Sequence, residues 1–209
     1  MVLWVFGYGS LMWKAGFNYD ERFPGFIKGY RRSTDHRGTP ENPGRTVTLE
    51  PADGEICCGV AYKISKEEDI ESAIMHLEVR EKQYDQKVHV DFYTGPLDPS
   101  MLMHLGDLHT DPTDSTPAVT GVVVVTRSHF LTPIYIASSD KTTNQNYLGP
   151  APLEEIAKQI VRAEGPSGPN RDYLFQLEKA LLELGCNDAH VMDLAKEARR
   201  ILSEELQSS

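Results

Sequence analysis

The sequence predicts an α+β fold with a strand-rich first part and a helical C-terminal part. Short β-branched and aromatic runs, broken by Gly, Pro and Asp, fill residues 2–64 and recur at 87–93 and 119–137. One helical-period segment lies between them, and three more follow residue 150.

Residues 2–6, Val-Leu-Trp-Val-Phe, predict a buried strand closed by the turn Gly7-Tyr8-Gly9-Ser10. Residues 26–30, 45–49 and 56–64 predict further strands, separated by loop signals at 34–44 and 51–54. Ser65 followed by Lys66-Glu67-Glu68 reads as a capping box. Ile70, Ala73, Ile74 and Leu77 then recur at helical spacing, which predicts a helix over 66–79. The alternation of Val88, Val90 and Phe92 with His89 and Asp91 predicts a half-buried strand at 87–93. Residues 94–117, rich in Pro, Asp, Gly and Ser, predict a long flexible loop. Strands are expected at 119–126 and 133–137. Helices are expected at 153–163, 171–184 and 190–206, the middle one presenting Tyr173, Leu174, Leu177, Leu181 and Leu184 on one face with Gly185 at its C-cap.

A chain of 209 residues with 40% hydrophobic and 25% charged content predicts one domain spanning 1–209. The opening apolar run is too short for a signal peptide or a membrane span, and no later run reaches the roughly 18 apolar residues that a span needs. The net charge of −10 argues against a nucleic-acid partner and against anionic membrane surfaces. Cys57, Cys58 and Cys186 form neither a disulfide framework nor a CxxC motif, which predicts reduced thiols and a cytoplasmic location. Arg31, Arg32, His36, Arg37 and Arg45 make a local basic cluster, compatible with a solvated loop.

The Gly7-Tyr8-Gly9-Ser10 turn has two readings on its residues alone. It closes a strand, or its backbone N–H groups form a nest for an anion or oxyanion. It lacks the third glycine of a dinucleotide fingerprint. Glu81, in Arg80-Glu81-Lys82 at the end of the first helix, is likewise either part of a solvated ion-pair run or a site residue at an element end. The histidines show no metal-ligand spacing, so no metal is expected, and Ser10 lacks a nucleophile elbow. Gly165-Pro-Ser-Gly-Pro169 reads as a linker, or less readily as an anion-binding helix start.

Taken in order, several motifs resemble the ChaC family of glutathione-specific γ-glutamylcyclotransferases along nearly the whole chain. They are Trp4-Val-Phe-Gly-Tyr-Gly-Ser-Leu11, Ser33-Thr-Asp-His-Arg-Gly38, Pro43-Gly-Arg45, Thr46-Val-Thr-Leu49, Gly59-Val-Ala-Tyr62, Arg80-Glu-Lys82, Tyr147-Leu-Gly-Pro-Ala-Pro152, Gly165-Pro-Ser-Gly168 and Asp172-Tyr-Leu-Phe175. The resemblance implies a small β-barrel flanked by helices and a lyase that converts glutathione to 5-oxoproline and cysteinylglycine without a cofactor. It implies Glu81 as the proton acceptor, with Val5, Phe6, Gly7, Tyr8, Gly9 and Ser10 binding the γ-glutamyl group. Position and residue type add Tyr84 and Tyr147 as phenol donors and Arg45 as a carboxylate partner.

The sequence departs from the family pattern at three places. Arg31-Arg32 runs straight into Ser33, where members usually carry a short aromatic and Gln-Gly stretch, so an altered strand register or pocket wall is expected there. Residues 94–117 and 127–136 read as added segments. The alternatives these departures leave are an inactive isoform serving as a binding module, or activity on other γ-glutamyl peptides.

Overall fold

The computed structural model describes residues 2–38, 43–80, 89–94, 119–124 and 148–207. Five strands close into a barrel: β1 (Leu3–Gly7), β2 (Glu21–Gly38), β3 (Pro43–Ile64), β4 (His89–Tyr93) and β5 (Val119–Val124). Their order around the barrel is β1-β3-β2-β4-β5. Antiparallel pairing runs throughout except at the seam, where β5 lies parallel to β1 through Val5↔Val123 and Phe6↔Val124. Closure removes the exposed edges that a five-stranded sheet would otherwise present.

The barrel interior is filled by aromatic rings placed against glycines. Phe6 and Phe92 meet with ring centroids 5.7 Å apart. Gly25 and Gly59, directly paired across β2 and β3, leave the room for them. A Cβ on Gly59 would lie 2.6 Å from Phe6 Cζ, and one on Gly25 would lie 2.8 Å from Phe92 Cε2. Both are far inside normal contact, so the two rings and the two glycines specify each other.

The strand signals at 26–30, 45–49 and 56–64 are parts of two long strands that form one hairpin. The punctuation at 51–54 is a bulge inside β3, because residues 52–55 stand opposite Gly29 alone, which has φ 79°. The bulge reverses which face of β2 is buried: Gly25 and Ile27 point in before it, Arg32 and Thr34 after it. Beyond it the ladder is unbroken from Tyr30↔Pro51 to Gly38↔Pro43, so the short Arg32-Ser33 junction sits inside regular pairing.

Helix α1 (Glu67–Arg80) agrees with the predicted segment. The capping-box expectation does not hold. The Ser65 hydroxyl and N–H both donate to Asp20 Oδ2, at 2.6 Å each, so the hydroxyl ties the helix start to the segment before β2. Three further helices, α2 (Leu153–Arg162), α3 (Asn170–Glu183) and α4 (Ala189–Gln207), pack on one another, and α2 and α3 also pack on β3. Their apolar faces recur at helical spacing: Ile156, Ala157, Ile160 and Val161; Leu174, Leu177 and Leu181; Val191, Leu194, Ala195, Ala198 and Ile201. The run at 165–169 is a linker of defined shape, in which β6 (Glu164–Gly165) pairs with β7 (Gly168–Pro169) through Gly165↔Gly168, the latter at φ 95°.

Gly185 takes its expected place after α3, with φ 71°. Its N–H donates to Leu182 O at 3.0 Å, and the Cys186 N–H donates to Leu181 O at 2.9 Å, the paired bonds of a Schellman motif. That motif turns Cys186 into the core, where it is bonded to Cys58 of β3, with Cα atoms 6.5 Å apart. The expectation of three reduced thiols is thereby corrected. The partners are 128 residues apart, and no local spacing signals a pair that only the packing of the helices on the barrel brings together.

Candidate active site

The turn at residues 7–10 leaves the end of β1, beside the helices, and runs into a single 3-10 turn, Ser10–Met12. Three side chains from two strands hold its carbonyl groups. Arg32 Nε of β2 donates to Tyr8 O at 3.0 Å, and the Tyr62 hydroxyl of β3 donates to Leu11 O at 2.6 Å. Arg22 Nη2 donates to Met12 O at 3.1 Å. The Gly9 and Ser10 carbonyls accept from within the turn, from the N–H groups of Met12 (2.9 Å) and Lys14 (2.9 Å). With the carbonyls committed inwards, the Gly9 N–H has no acceptor among the described residues. It is a donor available to an anion or an oxyanion.

The glycines are required by close approach. A Cβ on Gly7 would lie 2.5 Å from Leu11 Cβ. One on Gly9 would lie 2.9 Å from the Tyr173 hydroxyl of α3 and 3.0 Å from Val47 Cγ2. Tyr173 is in turn set by Trp13, their ring centroids 5.5 Å apart. The turn is therefore wedged between β3 and α3, with its glycines at the contact.

The six residues proposed from sequence for the substrate divide into two groups. Val5 and Phe6 have fully buried side chains that build the barrel, and Gly7 and Tyr8 are buried too. Gly9 and Ser10 are partly exposed and form the accessible part of the turn. Glu81, Tyr84 and Tyr147 lie outside the described residues. The described part of α1 runs to Arg80.

Arg45 is placed differently from the sequence expectation. Its guanidinium is buried and joins three elements: Nε donates to Gln159 Oε1 of α2 at 2.9 Å, and Nη1 donates to Gly149 O at 2.9 Å and Thr34 O at 3.3 Å. Asn170 completes the joint. Its Oδ1 accepts from the Arg45 N–H at 2.6 Å and its Nδ2 donates to Arg45 O at 2.7 Å, satisfying both backbone groups of Arg45 on the flank that faces α3. Arg45 thus anchors the Leu148-Gly-Pro150 segment and the helices to β3. The basic cluster is in fact divided, with Arg32 and Arg45 inside and Arg31 outside in an exposed ion pair with Glu50 at 3.3 Å.

The family model described as "ChaC-like protein" matches residues 3–201. The chain belongs to the ChaC-like family. Among relatives, "Gamma-glutamylcyclotransferase 2-3" of Arabidopsis thaliana is 62% identical over 209 residues, covering 98% of this chain and 92% of that protein. "Glutathione-specific gamma-glutamylcyclotransferase" of Saccharomyces cerevisiae is 31% identical, covering 87% of this chain and 86% of that protein. A crystal structure of the yeast γ-glutamyl cyclotransferase specific to glutathione superposes with a TM-score of 0.71 at 29% identity, covering 95% of this chain and 96% of the other. The barrel with flanking helices is therefore the architecture of this ChaC-like chain as well as of its structural neighbour.

Sequence reasoning gave no role to two arginines that hold the turn from outside the quoted motifs, Arg22 and Arg32, nor to Asp188, which accepts from Arg32 Nη1 at 2.7 Å. Arg22 and Asp188 have no local signature. Arg32 was visible only as one of several basic residues, and the Gly29 bulge concealed that it points inwards. Tyr62 and Tyr173 were within quoted motifs, but no role followed from residue type alone.

Proposed function

We propose that this chain is a γ-glutamylcyclotransferase acting on glutathione, with Glu81 as acid/base and the accessible part of the turn at 7–10 holding the γ-glutamyl group. The α-amino group of that moiety attacks its own side-chain amide carbonyl. A five-membered lactam forms, the amide C–N bond breaks, and the proton lost by the attacking nitrogen is returned to the departing cysteinylglycine amine. One carboxylate suffices for both transfers, a role commonly worth about 10²–10⁴-fold. A partly apolar pocket would raise its pKa and suit it to the return step. Because attack is intramolecular, fixing the substrate in a near-attack conformation supplies much of the remaining rate.

The observation that carries this reading is the turn, whose carbonyls from Tyr8 to Met12 are held by the protein while the Gly9 N–H has no acceptor among the described residues. The relatives named for this activity over nearly the full chain support it. Val5 and Phe6 enter the proposal as the floor beneath the turn. Residues 1–209 are treated as one cyclotransferase domain. No helix among the described residues is long and apolar enough to cross a membrane. The cytoplasm is proposed on the ground of the substrate, since the bond between Cys58 and Cys186 removes the argument from reduced thiols.

The test is a substrate panel of glutathione, γ-glutamyl-alanine and a γ-glutamyl-amine, read by mass spectrometry of released 5-oxoproline. The proposal expects release from glutathione at least tenfold faster, about 1.4 kcal/mol of discrimination at the transition state, than from the other two. Equal or faster release from another γ-glutamyl compound would move the specificity away from glutathione.

A further inference from the structure

Arg32 is a charged residue 5% exposed, and its contacts join four parts of the fold. Nε donates to Tyr8 O at 3.0 Å, Nη1 donates to Asp188 Oδ2 at 2.7 Å, and Nη2 donates to the Cys58 carbonyl and stands 3.8 Å from Met12 Sδ. The other oxygen of Asp188 accepts from the Val191 N–H at 3.2 Å, capping α4. The carboxylate therefore has one oxygen fixed by the helix and one by the guanidinium.

A buried ion pair is a poor device for stability, because removing two charges from water costs about as much as their attraction returns. Well-packed apolar side chains would join β2 to α4 equally well. What they would not do is hold a carbonyl in one plane. The guanidinium is a rigid fork, so fixing Nη1 on Asp188 and Nη2 on the Cys58 carbonyl fixes the direction in which Nε meets Tyr8 O. The Tyr8–Gly9 peptide is planar and trans, so its C=O and the Gly9 N–H point to opposite sides. Turning the carbonyl towards Arg32 aims the Gly9 N–H away from the protein interior, and this is the donor without an acceptor among the described residues.

We propose that Arg32, braced by Asp188, is the positioning residue of the candidate active site, setting the Tyr8–Gly9 peptide so that the Gly9 N–H meets the anionic or developing-anionic group of the substrate. The assignment of that substrate rests on the function proposed above. The residue acts through the backbone without touching substrate, and the helical C-terminal part of the chain enters the site through Asp188.

Two variants test it. Arg32→Lys keeps the charge and removes the fork. Asp188→Asn keeps a good helix cap and removes the charge that braces it. Each is assayed for kcat and KM with glutathione, for Tm, and by NMR for the Gly9 amide resonance. The proposal expects kcat/KM to fall about 10–100-fold in Arg32→Lys, short of the about 10²–10³-fold that removing an oxyanion donor costs because the donor is misaimed and not removed, and less in Asp188→Asn. It expects the Gly9 amide to shift in both variants in the same direction, and the loss to persist at temperatures where both are fully folded. Folded variants with kcat/KM within threefold of wild type, an unmoved Gly9 amide, or losses that merely track the unfolded fraction would each overturn it. Wild-type protein inactive on glutathione would refute the function proposed above, while the Gly9 amide in the variants would still decide the positioning.

Discussion

Gly59→Ala presses on the buried start of the turn without touching Gly9 or Ser10, its accessible part. The added Cβ would lie 2.6 Å from Phe6 Cζ and closer still to the Gly7 carbonyl oxygen, where ordinary contact begins at 3.4 Å. Something must therefore move by about 1 Å, and one of the two neighbours is the backbone at the start of the turn. Overpacking of this kind costs about 1–3 kcal/mol, which for a chain of this length lowers Tm by about 2–12 °C. A displacement of 1 Å at a positioning element costs up to about 10²-fold in rate. Gly25→Ala is the matched control, since its Cβ would meet Phe92 and the Tyr93 carbonyl, on the β4 side of the barrel away from the turn. Differential scanning calorimetry and steady-state kinetics with glutathione, run on both variants, separate the two effects. The expected result is a similar fall in Tm for both and a loss of kcat/KM at least tenfold larger for Gly59→Ala. Equal losses of activity, or a Gly59→Ala variant within threefold of wild type, would refute the claim that the turn's geometry governs the reaction.

Three further outcomes follow from the packing of the helices on the barrel. Cys186→Ser removes the bond to Cys58 and should cost about 2–4 kcal/mol, with a similar loss when wild type is scanned in a strong reductant and no further loss when the variant is. Burial pushes the Cys57 thiol up to about 11, against the opposing influence of Arg32, so it should resist alkylation at pH 8 until the protein unfolds. His190 has a buried Nε2 without a partner among the described residues, and desolvation lowers its pKa below the usual 6.5 despite Asp188, Glu50 and Asp193, with Arg31 acting in the same direction as burial. The unfolded chain therefore binds the proton first as pH falls, so stability is lost from about pH 6.5 downwards until the folded pKa is reached. Urea unfolding from pH 7.5 to 5 should show a smaller decline for His190→Gln than for wild type.

The parts of the fold that were legible in the sequence are those governed by local period. The helices were placed to within a residue or two, because their apolar positions recur along one face and Gly185 marks the end of one of them. The barrel was not readable from residues, since closure depends on β5 reaching β1 across the whole first half of the chain; it entered through resemblance. The two long strands were cut short because 34–44 and 51–54 carry loop signals, whereas the ladder runs on to Gly38↔Pro43 and the bulge at 52–55 bends a strand without ending it. That same bulge made Arg32 unreadable, for alternation carried across it from Ile27 places the wrong face inside. The disulfide and the Asp188 brace were hidden for a related reason: each joins residues more than a hundred positions apart, and only the packing of the helices on the barrel, which brings the connection between α3 and α4 against β2 and β3, makes them neighbours. The glycine turn was legible as a turn, but which of its groups remain for a ligand became clear only once the donors to its carbonyls were known.

The measurement that bears most directly on the central claim is the release of 5-oxoproline and cysteinylglycine from glutathione by wild type and by Glu81→Gln, which preserves shape but cannot exchange a proton. The account predicts stoichiometric formation of both products by wild type and a rate at least about 10²-fold lower in a variant of unchanged Tm. A wild type that forms neither product, or a folded Glu81→Gln variant as active as wild type, would contradict it.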